Sequence, residues 1–255
     1  MNFKKRIKNF FNYFGLEINR HNKDIKNEDF GEILKKQLQN SSIIFDVGAN
    51  NGQSIEKFSK LFPNSHIHSF EPVLSEYGLL KKKYGSQNNI YLNNFALGEL
   101  EGSKKLNITQ KTETSSFNNI NLGTEWLKTR SKEYNVSQDN FVKKIDEVKI
   151  ITLDGYCLKN SINNIDILKI DTQGYEDKVL EGSINMIKKG NIKVIITEII
   201  LDDVYDKNFS FTDLEKYLLP YNFRIVGINM MNNNLFSSIL FSADLMYFNK
   251  KNFKI

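Results

Sequence analysis

Cysteine is almost missing from this 255-residue chain. The single one, Cys157, excludes an internal disulfide and any metal site built on cysteines, and it fits a reducing compartment. Long apolar runs are missing too. The first twenty residues, MNFKKRIKNFFNYFGLEINR, thread charges through their apolar positions, which excludes a signal peptide or membrane span there and leads to the expectation of a cytoplasmic protein. There are no internal repeats. The formal charge of +5 is a small excess of lysine spread along most of the chain, so nucleic acid is not an expected partner.

What is present suffices for one α/β domain: 40% of residues are hydrophobic and 25% charged. Phe3, Ile7, Phe10 and Phe14 recur at helical spacing beside Lys4, Lys5 and Lys8. Such a basic amphipathic helix either packs on the main domain or makes peripheral contact with an anionic membrane. Residues 1–40 are therefore read as an N-terminal helical extension and residues 41–255 as the main domain.

From Ser42 onward, β-rich apolar runs alternate with helical patterns, the signature of a doubly wound, mostly parallel sheet covered by helices. Strands are expected at Ile43–Val47, His66–Glu71, Ile90–Ala96, Ile165–Ile170 and Lys193–Thr197, with helices at Gln53–Phe62, Pro72–Tyr84 and Glu176–Lys188 between them. A helix at Thr212–Leu219 and strands at Phe223–Ile228 and Leu245–Asn249 close the chain, the last two as a terminal antiparallel pair. Ser103–Thr109 alternates like an exposed strand, and the polar stretch 110–147, with Trp126 as its one large anchor, reads as an insertion.

The segment Phe45-Asp-Val-Gly-Ala-Asn-Asn-Gly-Gln53 turns a strand into a helix through glycines. An acid at the strand end, glycines that let a ligand approach the backbone and N–H groups at the helix start make a cradle for a small polar molecule. In a doubly wound sheet, ligands bind beyond the carboxyl ends of the strands. Glu71 ends the second strand, where a carboxylate can accept from both hydroxyls of a ribose. Asn94 and Ala96 end the third, near where an adenine would lie, Asp171 the fourth and Glu198 the fifth.

The glycine spacing Gly48-x-x-x-Gly52 departs from the G-x-G-x-x-G of nicotinamide-binding turns, and the Tyr-x-x-x-Lys pairs of this chain, Tyr77 with Lys81 and Tyr247 with Lys251, are poorly placed for a dehydrogenase or epimerase. S-adenosylmethionine (SAM) suits the turn better, its ammonium matching Asp46 and its carboxylate the helix N–H groups. A nicotinamide-dependent sugar-modifying enzyme and a non-catalytic binding protein on the same fold remain the alternatives.

The stretches Asp46-Val-Gly-Ala-Asn-Asn-Gly-Gln53, Phe70-Glu-Pro72, Asn94-Phe-Ala-Leu-Gly98, Thr152-Leu-Asp154, Leu168-Lys-Ile-Asp-Thr-Gln-Gly-Tyr-Glu176 and Val179-Leu-Glu-Gly182, with Glu198, resemble the FkbM family of class I, Rossmann-like SAM methyltransferases over about Ser41 to Tyr247. The resemblance implies methyl transfer to oxygen, commonly on a sugar hydroxyl or a related natural product. On the family's pattern, Asp46, Gly48, Asn50, Gly52 and Gln53 line the cofactor, Glu71 meets the ribose, and Asn94 to Ala96 lie near the adenine. Asp171 is the candidate catalytic base, and its alternative roles are to cap the following turn or to bind the cofactor's amino group. Glu198 is the second catalytic candidate. Asp171 and Glu198 either share a divalent cation or share a proton. Glu176 reads as a first-turn helix acid, His66 and His68 as sheet residues, and Ser115 and Ser116 as polar loop residues or acceptor contacts. Tyr175 and Trp126 are either sugar-stacking surfaces or buried anchors.

Overall fold

The computed structural model describes residues 29–38, 42–207, 209–230 and 241–253. The expected amphipathic helix around residues 3–14 lies outside them. Among the described residues, no helix is long and apolar enough to cross a membrane.

Seven strands form the central sheet: Ile43–Val47 (β1), His66–Phe70 (β2), Ile90–Asn93 (β3), Ile165–Ile170 (β7), Ile192–Ile200 (β8), Phe223–Met230 (β9) and Ser242–Asn249 (β10). Their order is β3-β2-β1-β7-β8-β10-β9. The first five are parallel, while β10 runs antiparallel to both β8 and β9. The order reverses between β1 and β7, which opens the crevice for a ligand beyond their carboxyl ends.

Helices cover both faces. On one side, Phe30–Gln37 (α1), Gln53–Leu61 (α2) and Leu74–Tyr84 (α3) bury Leu34, Ile55, Phe58 and Leu80 against Ile44, Ile67 and Ile167 of the sheet. On the other, Leu153–Lys159 (α5), Glu176–Glu181 (α6), Ile184–Lys189 (α7) and Phe211–Leu218 (α8) bury Leu153, Val179, Leu180 and Leu214 against Phe45, Leu168 and Ile195. Strands buried on both faces read as apolar runs, and β8 carries one at Val194–Ile196 before Thr197 and Glu198. The α1 helix belongs to the core rather than to an extension: Phe30 is 7% exposed and packs beside Gly227, where an added Cβ would meet its ring at 2.8 Å.

The sequence differs from the structure at three places. The third strand stops at Asn93, because Ala96–Leu97 (β4) leaves the central sheet and pairs with Val142–Ile151 (β6). Gly102–Thr109 (β5) pairs antiparallel with the same β6, giving a second sheet in the order β4-β6-β5. The polar stretch read as an insertion is thus partly built: it holds the helix Glu125–Tyr134 (α4) and the first half of β6, whose exposed positions are polar apart from Ile145. Finally, the helix expected at Glu176–Lys188 breaks at Gly182 into α6 and α7, since a Cβ at Gly182 would stand 1.9 Å from the Gly98 carbonyl oxygen.

Candidate functional site

A cavity of about 430 Å³ opens at the carboxyl ends of β1, β2 and β7, as the order reversal requires. Its walls include Gly48, Asn50, Gln53, Glu71, Ala96, Asp171 and Glu198 from the sequence reading. Asp46, Gly52 and Asn94 lie outside its lining, each for a visible reason.

Asp46 is fully buried beneath the turn. Directly across the strand pair in register is Lys169, whose Nζ stands 3.5 Å from Asp46 Oδ1 and 3.2 Å from Asp171 Oδ2. Neither Asp46 oxygen has a hydrogen-bond partner, so the Lys169 ammonium is its compensation. Burial raises the Asp46 carboxyl in spite of that ammonium. Burial would lower the Lys169 ammonium, but Asp171 and Asp46 outweigh it and hold Lys169 above the ordinary lysine range. Asp46 is therefore linked to Asp171, on the cavity wall, through Lys169.

The two glycines have structural reasons to be there. Gly48 has φ +84°, and a Cβ on it would lie 1.8 Å from the Asp171 carbonyl oxygen, so the β1 and β7 ends can meet only at glycine. Gly52 has φ +85° and packs under Tyr84, whose hydroxyl donates to the Gly52 carbonyl at 3.1 Å. Gly48 and Ala49 both donate their N–H groups to the Phe70 carbonyl, and Asn50 donates its own to Glu71 Oε2 at 2.7 Å. The donors left to a ligand are those of the first turn of α2, at the cavity-lining Gln53 and Ser54.

Glu71 is held from both sides, Asn50 N–H on one oxygen and Val73 N–H on the other at 2.8 Å. Burial nonetheless pushes its carboxyl up to about 7. Asn94 turns its amide onto the backbone carbonyls of Glu71 and Pro72, at 2.9 and 3.1 Å, and so props the Glu71 loop instead of facing an adenine. Ala96, displaced into the second sheet, still lines the cavity beside Leu97.

At the β7 end, Gln173 sits at φ +56° and ties two acids together: its amide donates to Asp171 Oδ1 at 3.0 Å and to Glu198 Oε2 at 2.7 Å. Burial would raise Asp171, yet Lys169 and the hydrogen bonds from Gln173, Lys169 and Glu198 hold it below the usual carboxylate range. Glu198 goes the other way, pushed well above its usual range by burial and then by Asp171, Glu176 and Asp244. Burial and the neighbouring acids thus favour the protonated form at Glu198, and Lys169 the ionised form at Asp171. Glu176 is no surface helix acid: it is 1% exposed and accepts from Thr172 N–H, Thr172 Oγ1 and Gly174 N–H, at 2.7, 3.1 and 3.0 Å, fixing the loop that aims Asp171.

These residues do not fit the divalent cation that the sequence left open. Lys169 already lies beside Asp171, a fixed charge that a cation would have to oppose, and Glu198 is engaged by Gln173. Among the described residues, no group of three His, Cys, Asp or Glu side chains is arranged to hold a metal ion.

Several site residues escaped the sequence reading. Lys169 had a legible signal, since it is two positions before Asp171 on one strand and so shares its face. Asp244 had none: it lines the cavity because β10 sets it opposite Glu198. Arg130 and Tyr134 line the far end of the cavity from α4, at a spacing of four from the already noted Trp126, which is a buried anchor at 1% exposure on the same helix face. The histidines are sheet residues as expected: His68 stacks on Tyr91 at 4.4 Å and hydrogen-bonds Tyr156 at 2.8 Å. Ser116 donates to the Gln173 carbonyl at 2.6 Å, whereas Ser115 lines the cavity. Tyr175 is a buried anchor, donating to Glu99 at 2.6 Å beneath the Lys104 ammonium.

Three comparisons place this geometry among known proteins. The family model described as the methyltransferase FkbM domain matches residues 46–225. The 2-O-methyltransferase NoeI of Sinorhizobium fredii (strain NBRC 101917 / NGR234) is 22% identical over 169 residues, which are 64% of this chain and 65% of that protein. The crystal structure of methyltransferase FkbM from Methylobacillus flagellatus KT superposes with a TM-score of 0.51 at 15% identity, over 83% of this chain and 44% of that one. This chain thus spans just under two thirds of the length of the curated relative and less than half of the solved one. With the family model covering most of the doubly wound sheet and both ends of its cavity, the chain belongs to the family of methyltransferase FkbM domains.

Proposed function

We propose that the protein is a SAM-dependent O-methyltransferase that acts on a hydroxyl of a sugar, a glycoconjugate or a related natural product. The observation that carries the cofactor reading is the charge of the cavity. Glu71, Glu113, Asp171, Glu198 and Asp244 face it, against Lys169 and Arg130. Such walls favour a ligand bearing ammonium and sulfonium charges and oppose the diphosphate of a nicotinamide cofactor. Burial holds Glu71, Glu198 and Asp244 above their usual ranges, so a cationic ligand would bind with release of protons. The 2-O-methyltransferase among the relatives supports oxygen as the methyl acceptor.

The residues fit the group. Glu71 would take the ribose hydroxyls, the first turn of α2 with Gln53 the amino-acid carboxylate, and Ala96 with Leu97 the adenine face. When bound, SAM supplies a methyl group made electrophilic by its sulfonium. The chain has to hold the acceptor oxygen in line with that carbon and take its proton as the O–C bond forms and the S–C bond breaks. Asp171 is the ionised carboxylate at that place, 38% exposed toward the cavity while its strand neighbours are buried. Lys169 and Gln173 hold it in orientation, and the proton it takes up leaves to solvent through the open cavity.

Calorimetric titration with S-adenosylhomocysteine and with NAD tests the reading, with Glu71→Ala as the control. Micromolar S-adenosylhomocysteine binding that the control loses is the expected result. Binding of NAD instead would overturn the proposal in favour of a nicotinamide enzyme, and binding of neither would make the fold a non-catalytic module.

A further inference from the structure

The far end of the cavity has a different character from the cofactor end. Trp126, Arg130 and Tyr134 of α4 face it, with Phe241 laid parallel to Trp126 at 6.1 Å and 12° between ring planes. Phe141 braces the same wall from behind, edge-on to Trp126 and stacked on Tyr134. This layer joins the reaction centre through Tyr205, which packs in one cluster with Trp126 and Phe141 and lies 3.4 Å from Gln173 Oε1.

The two cations of the cavity are not equivalent. Lys169 is committed to Asp46 and Asp171. Arg130 spends one nitrogen on Glu133, its Nη1 donating to Oε2 at 2.6 Å, and Glu133 is 41% exposed, so this is a surface pair of little strength. Among the described residues its buried Nε has no partner, nor has Nε1 of Trp126 on the same helix face. A guanidinium cannot shed its proton, and an unpaired buried donor costs about 1–3 kcal/mol, so Arg130 is a cation with donors left to offer a ligand. Glu113, 3.3 Å from the Tyr134 hydroxyl, is the acid on this wall, placed to accept from a hydroxyl rather than to neutralise Arg130.

Resting on the methyltransferase reading, we propose that the α4 face is the acceptor subsite and takes an anionic saccharide. Its carboxylate or phosphate pairs with Arg130, and its ring lies along Tyr134, with the buried Trp126 bracing the wall behind it. Arginine matches either oxyanion with two parallel hydrogen bonds, and flat aromatic faces match the apolar face of a sugar. The anionic group fixes the sugar's register, which selects the hydroxyl that Asp171 meets.

The test is saturation-transfer NMR and calorimetry on the full chain with S-adenosylhomocysteine present, using glucuronic acid, glucose 1-phosphate, glucose and inorganic phosphate as probes. Binding of glucuronic acid or glucose 1-phosphate at least tenfold tighter than glucose and inorganic phosphate is expected, and which of the two binds identifies the oxyanion. Arg130→Gln should weaken that binding at least tenfold and Arg130→Lys less, with S-adenosylhomocysteine affinity within twofold of the parent in both. Equal binding of glucose, unchanged binding in Arg130→Gln, or no binding of either anionic sugar at millimolar concentration would overturn the subsite. Because the S-adenosylhomocysteine signal is read in the same samples, failure of the cofactor reading shows separately as loss of that signal in the parent protein.

Discussion

Two glycine-to-alanine changes of identical chemistry should move this protein in opposite directions. At Gly48, φ is +84°, and the new methyl would sit 1.8 Å from the Asp171 carbonyl oxygen. The left-handed backbone costs a side-chain-bearing residue about 1–2 kcal/mol. Forcing backbone from backbone by more than an ångström adds about 1–3 kcal/mol more. Gly78 lies inside α3 with nothing within 4 Å of an added Cβ, so alanine there should gain roughly 0.5–1 kcal/mol of helix propensity. In urea unfolding at one pH, Gly48→Ala is thus expected to lose about 2–5 kcal/mol and Gly78→Ala to gain a fraction of one. For a chain of this size that corresponds to a fall in Tm of roughly 5–20 °C against a rise of about 1–4 °C. Gly48→Ala should also lose S-adenosylhomocysteine binding, because the strand end carrying Asp171 is what has to move. A Gly48→Ala protein within 1 kcal/mol of the parent, with binding intact, would refute the claim that the β1 and β7 ends meet only through a glycine.

Asp171→Asn should lower kcat by about 10²–10⁴-fold while S-adenosylhomocysteine affinity stays within about threefold, measured by methyl-transfer assay and calorimetry on one preparation; loss of both would remove the proton-accepting role. The ligand-free protein should lose stability between pH 4.5 and about 7. Burial pushes Glu71 and Glu176 up to about 7, so the stability that their protonated forms provide is complete below pH 4.5 and lost as pH rises through 7. Glu176→Gln should flatten that slope in urea midpoints measured across the range, and an unaltered slope would assign the pH dependence elsewhere.

The central sheet was legible because its physics is local. Strands such as β7 and β8 are apolar on both faces, and the helices between them carry their core residues at helical spacing. Of the second sheet only β5 was legible, from the alternation of Ser103–Thr109. Strand β6 buries few positions and alternates irregularly, and β4 is two residues long, so no periodicity marks either one. At the site, the acids that follow β2 and β7, Glu71 and Asp171, were readable by position, whereas Glu198, expected to end the fifth strand, lies inside β8, which runs on to Ile200. What they do was less so. Asp46 and Lys169 become a pair only through the register of β1 on β7, and Asp244 meets Glu198 only through the antiparallel return of β10. Asn94 shows the converse: its place at the strand end was right, but the side chain is consumed by the Glu71 loop.

The β6 strand pairs with β4 over two residues on one edge and with β5 along the other, while α4 packs on Ile200, Val204 and Tyr205, so the far wall meets the central sheet through side-chain packing and not through strand pairing. Inheritance can therefore act on the two halves at different rates. Substitutions on α4 or the outer part of β5 reshape what the far wall accepts without disturbing the register that holds Glu71, Lys169 and Asp171. Lineages of this domain would then keep one reaction while exchanging clients, and grafting residues 99–149 between members should carry acceptor preference with them.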